Sequence, residues 1–175
     1  MSVNAAWNIW NFRRPLVEAL IADGHEVTVL APRDDAVDDL ERIGCRFRSL
    51  EMSVKGLNPL EDLKLQRRFK RVFEDEQPDL VLSYTIKNNI FGARAAQAAD
   101  VPFLPNVTGL GTAFLSGKLL QTVTEQLYRR SFSRLPTVFF QNEDDRSLFL
   151  DRAMVRPEQA RLLPGSGIDL SRFAP

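Results

Sequence analysis

One cysteine, one histidine and no excess of either charge narrow the field at the outset. Cys45 has no partner for an intrachain disulfide, and with His25 as the lone histidine the Cys/His set of a structural zinc site cannot be assembled. Lys plus Arg and Asp plus Glu number 23 each, so no global positive field exists to hold a polyanionic nucleic acid. No apolar run approaches the roughly 20 residues of a membrane-spanning helix. The start, Met1-Ser2-Val3-Asn4, lacks the charged and apolar regions of a secretory signal. What remains fits one cytosolic, metal-independent domain. The 175 residues, 44% hydrophobic and 26% charged, suffice for one core and are too few for two.

Short β-rich runs alternate with helical patterns. Strands are expected over 26–31, 46–50, 80–84, 102–106 and 137–141, with helices between them, which predicts βαβ crossovers and a parallel sheet. Pro15 suits a first helical turn, Leu16, Val17, Leu20 and Ile21 make an apolar face, and Gly24 follows as a stop. Further helices are expected over 36–43, 59–76, 90–99, 118–132 and 144–153, giving a Rossmann-like, doubly wound α/β sheet with helices on both faces. Only residues 1–4 precede a loop expected over 5–11, so the first strand reads as truncated and the native frame is expected to begin upstream. At the other end, 165–175 reads as a linker leaving a domain that spans 1–164, with more chain expected after Pro175.

Ligands of doubly wound folds bind in loops that follow strands. Two such loops carry suitable chemistry: Thr85 to Asn89, with Lys87, and the stretch from Asn106 through Thr108, Gly109 and Gly111. Paired glycines permit close backbone approach to a phosphate or sugar oxygen, though a plain tight turn would use them too. The loop holding Trp7, Asn8, Trp10, Asn11 and Arg13 is expected on the same rim. Its rings could stack on pyranose faces, its amides offer donors and acceptors for hydroxyls, and one tryptophan could equally cap the core. Arg13 and Lys87 lie off the apolar stripes and are candidates for an anionic ligand group. Residues 5–11 contain no glycine, so the diphosphate turn of a nicotinamide-dependent oxidoreductase is missing.

Over 59–76, Leu60, Leu63, Phe69, Val72 and Phe73 form a stripe while Lys64, Arg67, Arg68, Lys70 and Arg71 crowd the remainder. This basic amphipathic helix suits anionic headgroups, or is a solvated face. Leu115, Leu119, Leu120, Val123 and Leu127 offer a second shallow membrane contact, or ordinary packing. His25 is expected at the surface on the opposite rim, and Cys45 as a small buried hydrophobe.

Several segments resemble the N-terminal half of family 4 glycosyltransferases of the GT-B fold. They are Asn11-Phe12-Arg13-Arg14-Pro15-Leu16, Asp23-Gly24-His25-Glu26-Val27, the run from Ser83 to Gly92, Val107 to Phe114, Phe140-Gln141-Asn142, and the hinge-like Gly167-Ile168-Asp169-Leu170-Ser171-Arg172-Phe173. Within that family the chain is similar to bacterial enzymes that extend sugars on undecaprenyl diphosphate, N-acetylgalactosaminyltransferases among them. The resemblance implies an acceptor-binding half of a retaining enzyme, inactive alone, with Trp7, Asn8, Asn11, Arg13, Thr85, Lys87, Asn106, Thr108, Gly109 and Gly111 facing the acceptor. It further implies a polyprenyl-diphosphate-linked sugar as acceptor, a nucleotide sugar such as a UDP-sugar as donor, and a C-terminal donor-binding domain. The cytoplasmic face of the cell membrane would be the place of work, with no metal and no nucleic acid required. Some relatives carry a histidine after the strand expected over 102–106, where this chain has Asn106-Val107-Thr108. The other reading is a non-catalytic, membrane-recruiting subunit of a split transferase.

Overall fold

The computed structural model describes residues 1–53, 58–110 and 117–167. Two helices open it, α1 (Ala6–Phe12) and α2 (Arg14–Ala22), followed by β1 (Thr28–Ala31), α3 (Val37–Arg42) and β2 (Arg46–Ser49). Next come α4 (Pro59–Glu76), β3 (Val81–Tyr84), a π-helical turn (Asn88–Gly92), α5 (Ala93–Ala99) and β4 (Phe103–Val107). The described chain closes with α6 (Lys118–Phe132), β5 (Val138–Phe140), α7 (Glu143–Asp151) and β6 (Ala160–Leu162). All strand pairs are parallel, β1 with β2 and β3 through β6 in sequence order.

The short N-terminal stretch joins these two groups. The amide of Val3 donates to Leu30 O at 3.1 Å and Leu30 N to Met1 O at 2.8 Å; on the other side Ser2 N donates to Leu82 O at 2.8 Å and Tyr84 N to Ser2 O at 2.9 Å. Residues 1–3 thus pair on both flanks and fill the central position, so the order across the sheet is β2, β1, residues 1–3, β3, β4, β5, β6. The strand is as brief as the sequence suggests, yet it satisfies the backbone groups that a gap would have stranded.

Strand alternation sends side chains to two cores. Val3, Val29 and Ala31 join Ala6, Ile9, Val17, Val37 and Leu40 beneath α1 to α3. Leu30 and Val81 face the other way, into a larger core with Phe69 and Phe73 of α4, Phe91, Phe103, Tyr128, Phe132, Phe140 and Phe149. Gly92 sits where a Cβ would lie 3.0 Å from Phe103 Cζ, so the absent side chain lets the π-helical turn close onto β4.

The structure corrects three expectations, on residues 6–12, on β6 and on the inward face of α4. Residues 6–12 form a helix, not a loop: Ala6 and Ile9 are wholly buried, and their burial overrides the poor helix propensities of Trp and Asn. Asn8 and Asn11 fit because each amide bonds one turn back, to Asn4 Oδ1 at 2.8 Å and to Trp7 O at 3.0 Å. A sixth strand, β6, occupies Ala160–Leu162, a stretch for which no element was expected. In α4 the inward face is Asp62, Leu65, Phe69 and Phe73, leaving Leu60 and Leu63 exposed. In α6 the inward face is Thr124, Glu125, Tyr128, Ser131 and Phe132, leaving Leu119 and Val123 outside. Gly111, Leu115 and the hinge residues beyond Gly167 lie outside the described residues.

Candidate functional site

From residues 1–3 the sheet grows outward through β1 and β2, then returns to grow the other way through β3. At such a switch point a doubly wound sheet opens a crevice beyond its strand ends. A cleft of about 370 Å³ lies there. Val3 ends the central strand, and Asn8, Ile9 and Phe12 come from one face of α1, since positions four apart share a helix side. Arg13 lies at the break between α1 and α2. The remaining walls are strand ends: Tyr84 and Thr85 after β3, Thr108 after β4, Gln141 after β5 and Ser166 beyond β6. Gln141 Nε2 donates to Ser166 Oγ at 2.7 Å, tying two of these ends together.

Among the described lining residues, Arg13 is the cleft's one cation. Its guanidinium carbon lies 4.4 Å above the Tyr84 ring, and one terminal nitrogen donates to Phe12 O at 3.0 Å. Among the described residues no carboxylate comes within ion-pair distance of it. Burial lowers its pKa, an effect Tyr84 partly offsets, and a guanidinium so placed remains protonated. Burial pushes the Tyr84 phenol up, with Arg13 pulling it partly back. Among the described residues, the other polar lining groups are the amides of Asn8 and Gln141 and the hydroxyls of Thr85, Thr108 and Ser166. A permanent cation set among neutral donors and acceptors fits a phosphate beside sugar hydroxyls.

Thr85 carries the cleft's backbone strain. Its φ of +71° is left-handed, a region that a β-branched residue enters only at a cost of about 1–3 kcal/mol. Its hydroxyl donates to Asn88 Oδ1 at 3.1 Å, and Asn88 Nδ2 donates to Ser2 Oγ at 2.7 Å.

Of the residues singled out from sequence, Asn8, Arg13, Thr85 and Thr108 converge on this cleft. Trp7 stands 53% exposed with its ring 5.5 Å from Phe12, at the cleft's outer side, whereas Trp10 packs against the core beneath α1. Asn11 spends its amide on its own helix. Lys87 is engaged elsewhere: its Nζ lies 2.9 Å from Asp62 Oδ1 of α4. Asn106 has a buried Oδ1 without a partner, and its carbonyl accepts from Asn89 Nδ2 at 2.9 Å. Gly109 adopts φ +147°, as a loop glycine was expected to. Sequence reasoning missed Tyr84, Gln141 and Ser166 as lining groups. The rule that sites form at strand ends points to the first two, while Ser166 was hidden because β6 went unrecognised.

On α4, Lys64 and Lys70 pair with Glu61 and Glu74 of their own helix at 2.8 and 3.0 Å, and Arg68 donates to Glu51 O at 2.7 Å. Arg67 and Arg71 are exposed. Among the described residues no helix is long and apolar enough to cross a membrane. His25 is exposed on the turn before β1, at the opposite end of the strands. Cys45 is buried, and burial pushes its thiol up to about 11.

Comparison with known proteins bears on the family and the fold. The chain is 29% identical to the N,N'-diacetylbacillosaminyl-diphospho-undecaprenol alpha-1,3-N-acetylgalactosaminyltransferase of Campylobacter jejuni, over 98% of this chain and 47% of that protein. It therefore spans about half the length of that relative. Crystal structures share the fold: MurG of Acinetobacter baumannii superposes with a TM-score of 0.60 at 14% identity, covering 98% of this chain and 46% of that one. HepE of Anabaena, in complex with UDP and glucose, gives 0.64 at 16% identity, covering 89% and 41%. The α/β architecture is that of one half of a GT-B fold. Residues 9–165 match the glycosyl transferase 4-like domain, and the chain belongs to that family.

Proposed function

We propose that this chain is the acceptor-binding half of a retaining glycosyltransferase. The enzyme would move a sugar from a nucleotide-sugar donor to a polyprenyl-diphosphate-linked saccharide at the cytoplasmic face of the membrane. The observation that carries the reading is Arg13: an unneutralised guanidinium in the switch-point crevice, surrounded by amides and hydroxyls. A diphosphate would take the guanidinium fork, and the attached sugar would lie against Asn8, Thr85 and Gln141. A cleft of about 370 Å³ accommodates a headgroup of that kind. The prenyl chain would leave over Phe12 and Trp7, which are 48% and 53% exposed. Exposed Arg67, Arg68 and Arg71 on α4 would face the anionic membrane surface.

Two further points support the reading. The Campylobacter relative is named for an undecaprenyl-diphosphate-linked acceptor, and HepE was crystallised with UDP and glucose. In this reading the lining amides and hydroxyls hold and orient the acceptor hydroxyl. Donor binding would fall to a second domain, joined beyond the turn at Gly165 and Gly167, whose φ values are +76° and +71°. Calorimetric titration of the chain with a farnesyl-diphosphate N-acetylhexosamine, and separately with UDP-N-acetylgalactosamine, tests this. Saturable binding of the first alone is expected; binding of the second alone would reverse the assignment.

A further inference from the structure

We propose that the Asp62–Lys87 ion pair is a positioning device that holds the cleft wall at Thr85 in its binding geometry. The proposal rests on the acceptor-binding reading above. Both side chains are nearly buried, at 8% and 12% exposure, and their charged atoms lie 2.9 Å apart. Asp62 sits in the first turn of α4 and Lys87 immediately precedes the π-helical turn, 25 residues later. Burying two charges is costly and seldom a source of net stability, so such a pair is better suited to fixing one arrangement than to strengthening the fold.

What the pair fixes is visible on either side of Lys87. Two residues before it, Thr85 lines the cleft with φ +71°, a conformation that persists only where its surroundings over-determine it. One residue after it, Asn88 accepts from the Thr85 hydroxyl and donates to Ser2 Oγ in the central strand. The segment from Thr85 to Asn88 is therefore held from two sides, to α4 through Lys87 and to the central strand through Asn88. The π-helical turn that follows begins at Asn88 and turns both Asn88 and Asn89 inward, where they are 0% and 1% exposed. Such turns recur at functional sites because they re-aim side chains at their edges. Lys87 in this arrangement contacts a carboxylate and is absent from the cleft lining, so its effect on the acceptor passes through Thr85. The same pair ties the cleft wall to α4, the helix that presents Arg67, Arg68 and Arg71.

The test is a fluorescence titration of the chain with farnesyl-diphosphate N-acetylhexosamine, read from Trp7 and Trp10, its two tryptophans. Asp62→Asn should weaken binding by about tenfold or more, the scale on which small misplacements of an oriented group act. The double variant Asp62→Asn with Lys87→Met should weaken it by no more than the single change. It should also melt close to wild type, since both charges go together. Lys87→Arg, which keeps the pair, should retain most of the affinity. Wild-type or tighter binding by Asp62→Asn would make the freed lysine a direct ligand and overturn the proposal. Wild-type affinity in the double variant would overturn it as well, and that variant carries the test should Asp62→Asn not fold. Loss of binding in Arg13→Met with no effect of either Asp62 variant would remove the positioning role alone. Binding indifferent to Arg13 would remove the acceptor reading beneath it.

Discussion

Replacing Arg13 by methionine keeps the apolar stem over Tyr84 and deletes only the charged fork. A hydrogen bond to a charged group contributes about 1.5–3 kcal/mol. Loss of the guanidinium–diphosphate contact should therefore raise the dissociation constant of an acceptor analogue by about 10- to 150-fold. The cost to the fold is smaller, because a cation over a ring at a part-exposed site contributes about 0.5–1 kcal/mol, worth a few degrees of melting temperature at this chain length. Arg13→Lys keeps the charge and loses the fork, so its affinity should fall between the two and depend more steeply on salt. The assay is tryptophan fluorescence at two ionic strengths. Arg14, which lies 4.7 Å over the Trp10 ring, is itself unchanged in these variants. Unchanged affinity in Arg13→Met, in a protein that melts normally, would refute the assignment of the cleft's cation.

Further expectations concern the frame around the site. Phe149 is fully buried with its ring 4.9 Å from Tyr128 and 5.1 Å from Phe140, so Phe149→Ala should destabilise the chain by about 3–5 kcal/mol in urea unfolding. Cys45, raised from 9.0 to about 11, should carry about a hundredfold less thiolate than a free cysteine at pH 8. Alkylation by iodoacetamide at pH 8 should accordingly be slow until urea unfolds the chain. The sign of the linkage follows: the raised folded pKa contributes stability below pH 9, lost as pH climbs toward 11. Charge reversal of Arg67, Arg68 and Arg71 should reduce sedimentation with vesicles containing phosphatidylglycerol and flatten its salt dependence. Equal binding would leave these arginines a solvated face.

Much of the frame was legible because its signals are local. Proline at the start and a sustained apolar period set α4 at 59–76, and the same kind of period set α6 at 118–132, both as found. Five strands announced themselves through β-branched and aromatic runs. The misreadings share one cause, contacts distant in sequence. Helix α1 forms because Ala6 and Ile9 are covered by elements that come later, and nothing local marks it. Strand β6 exists because Phe139 and Phe140 lie beside Arg161 and Leu162, two residues that propensity alone leaves open. Within the cleft, position after a strand sufficed to find Thr85 and Thr108, whereas Asn8 was singled out on a loop that proves to be α1, with Arg13 at its end. The same rule misjudged the surroundings of Lys87, since the carboxylate that engages it sits in the first turn of a helix read only for its apolar stripe and its basic residues.

The most direct test of the central claim is a crystal structure of this chain grown with farnesyl-diphosphate N-acetylhexosamine. The diphosphate is predicted within hydrogen-bond distance of the Arg13 guanidinium, with the sugar against Asn8, Thr85 and Gln141 and the prenyl chain leaving past Phe12. A ligand bound along α4, with Arg13 still resting on Tyr84 and touching no phosphate, would contradict it.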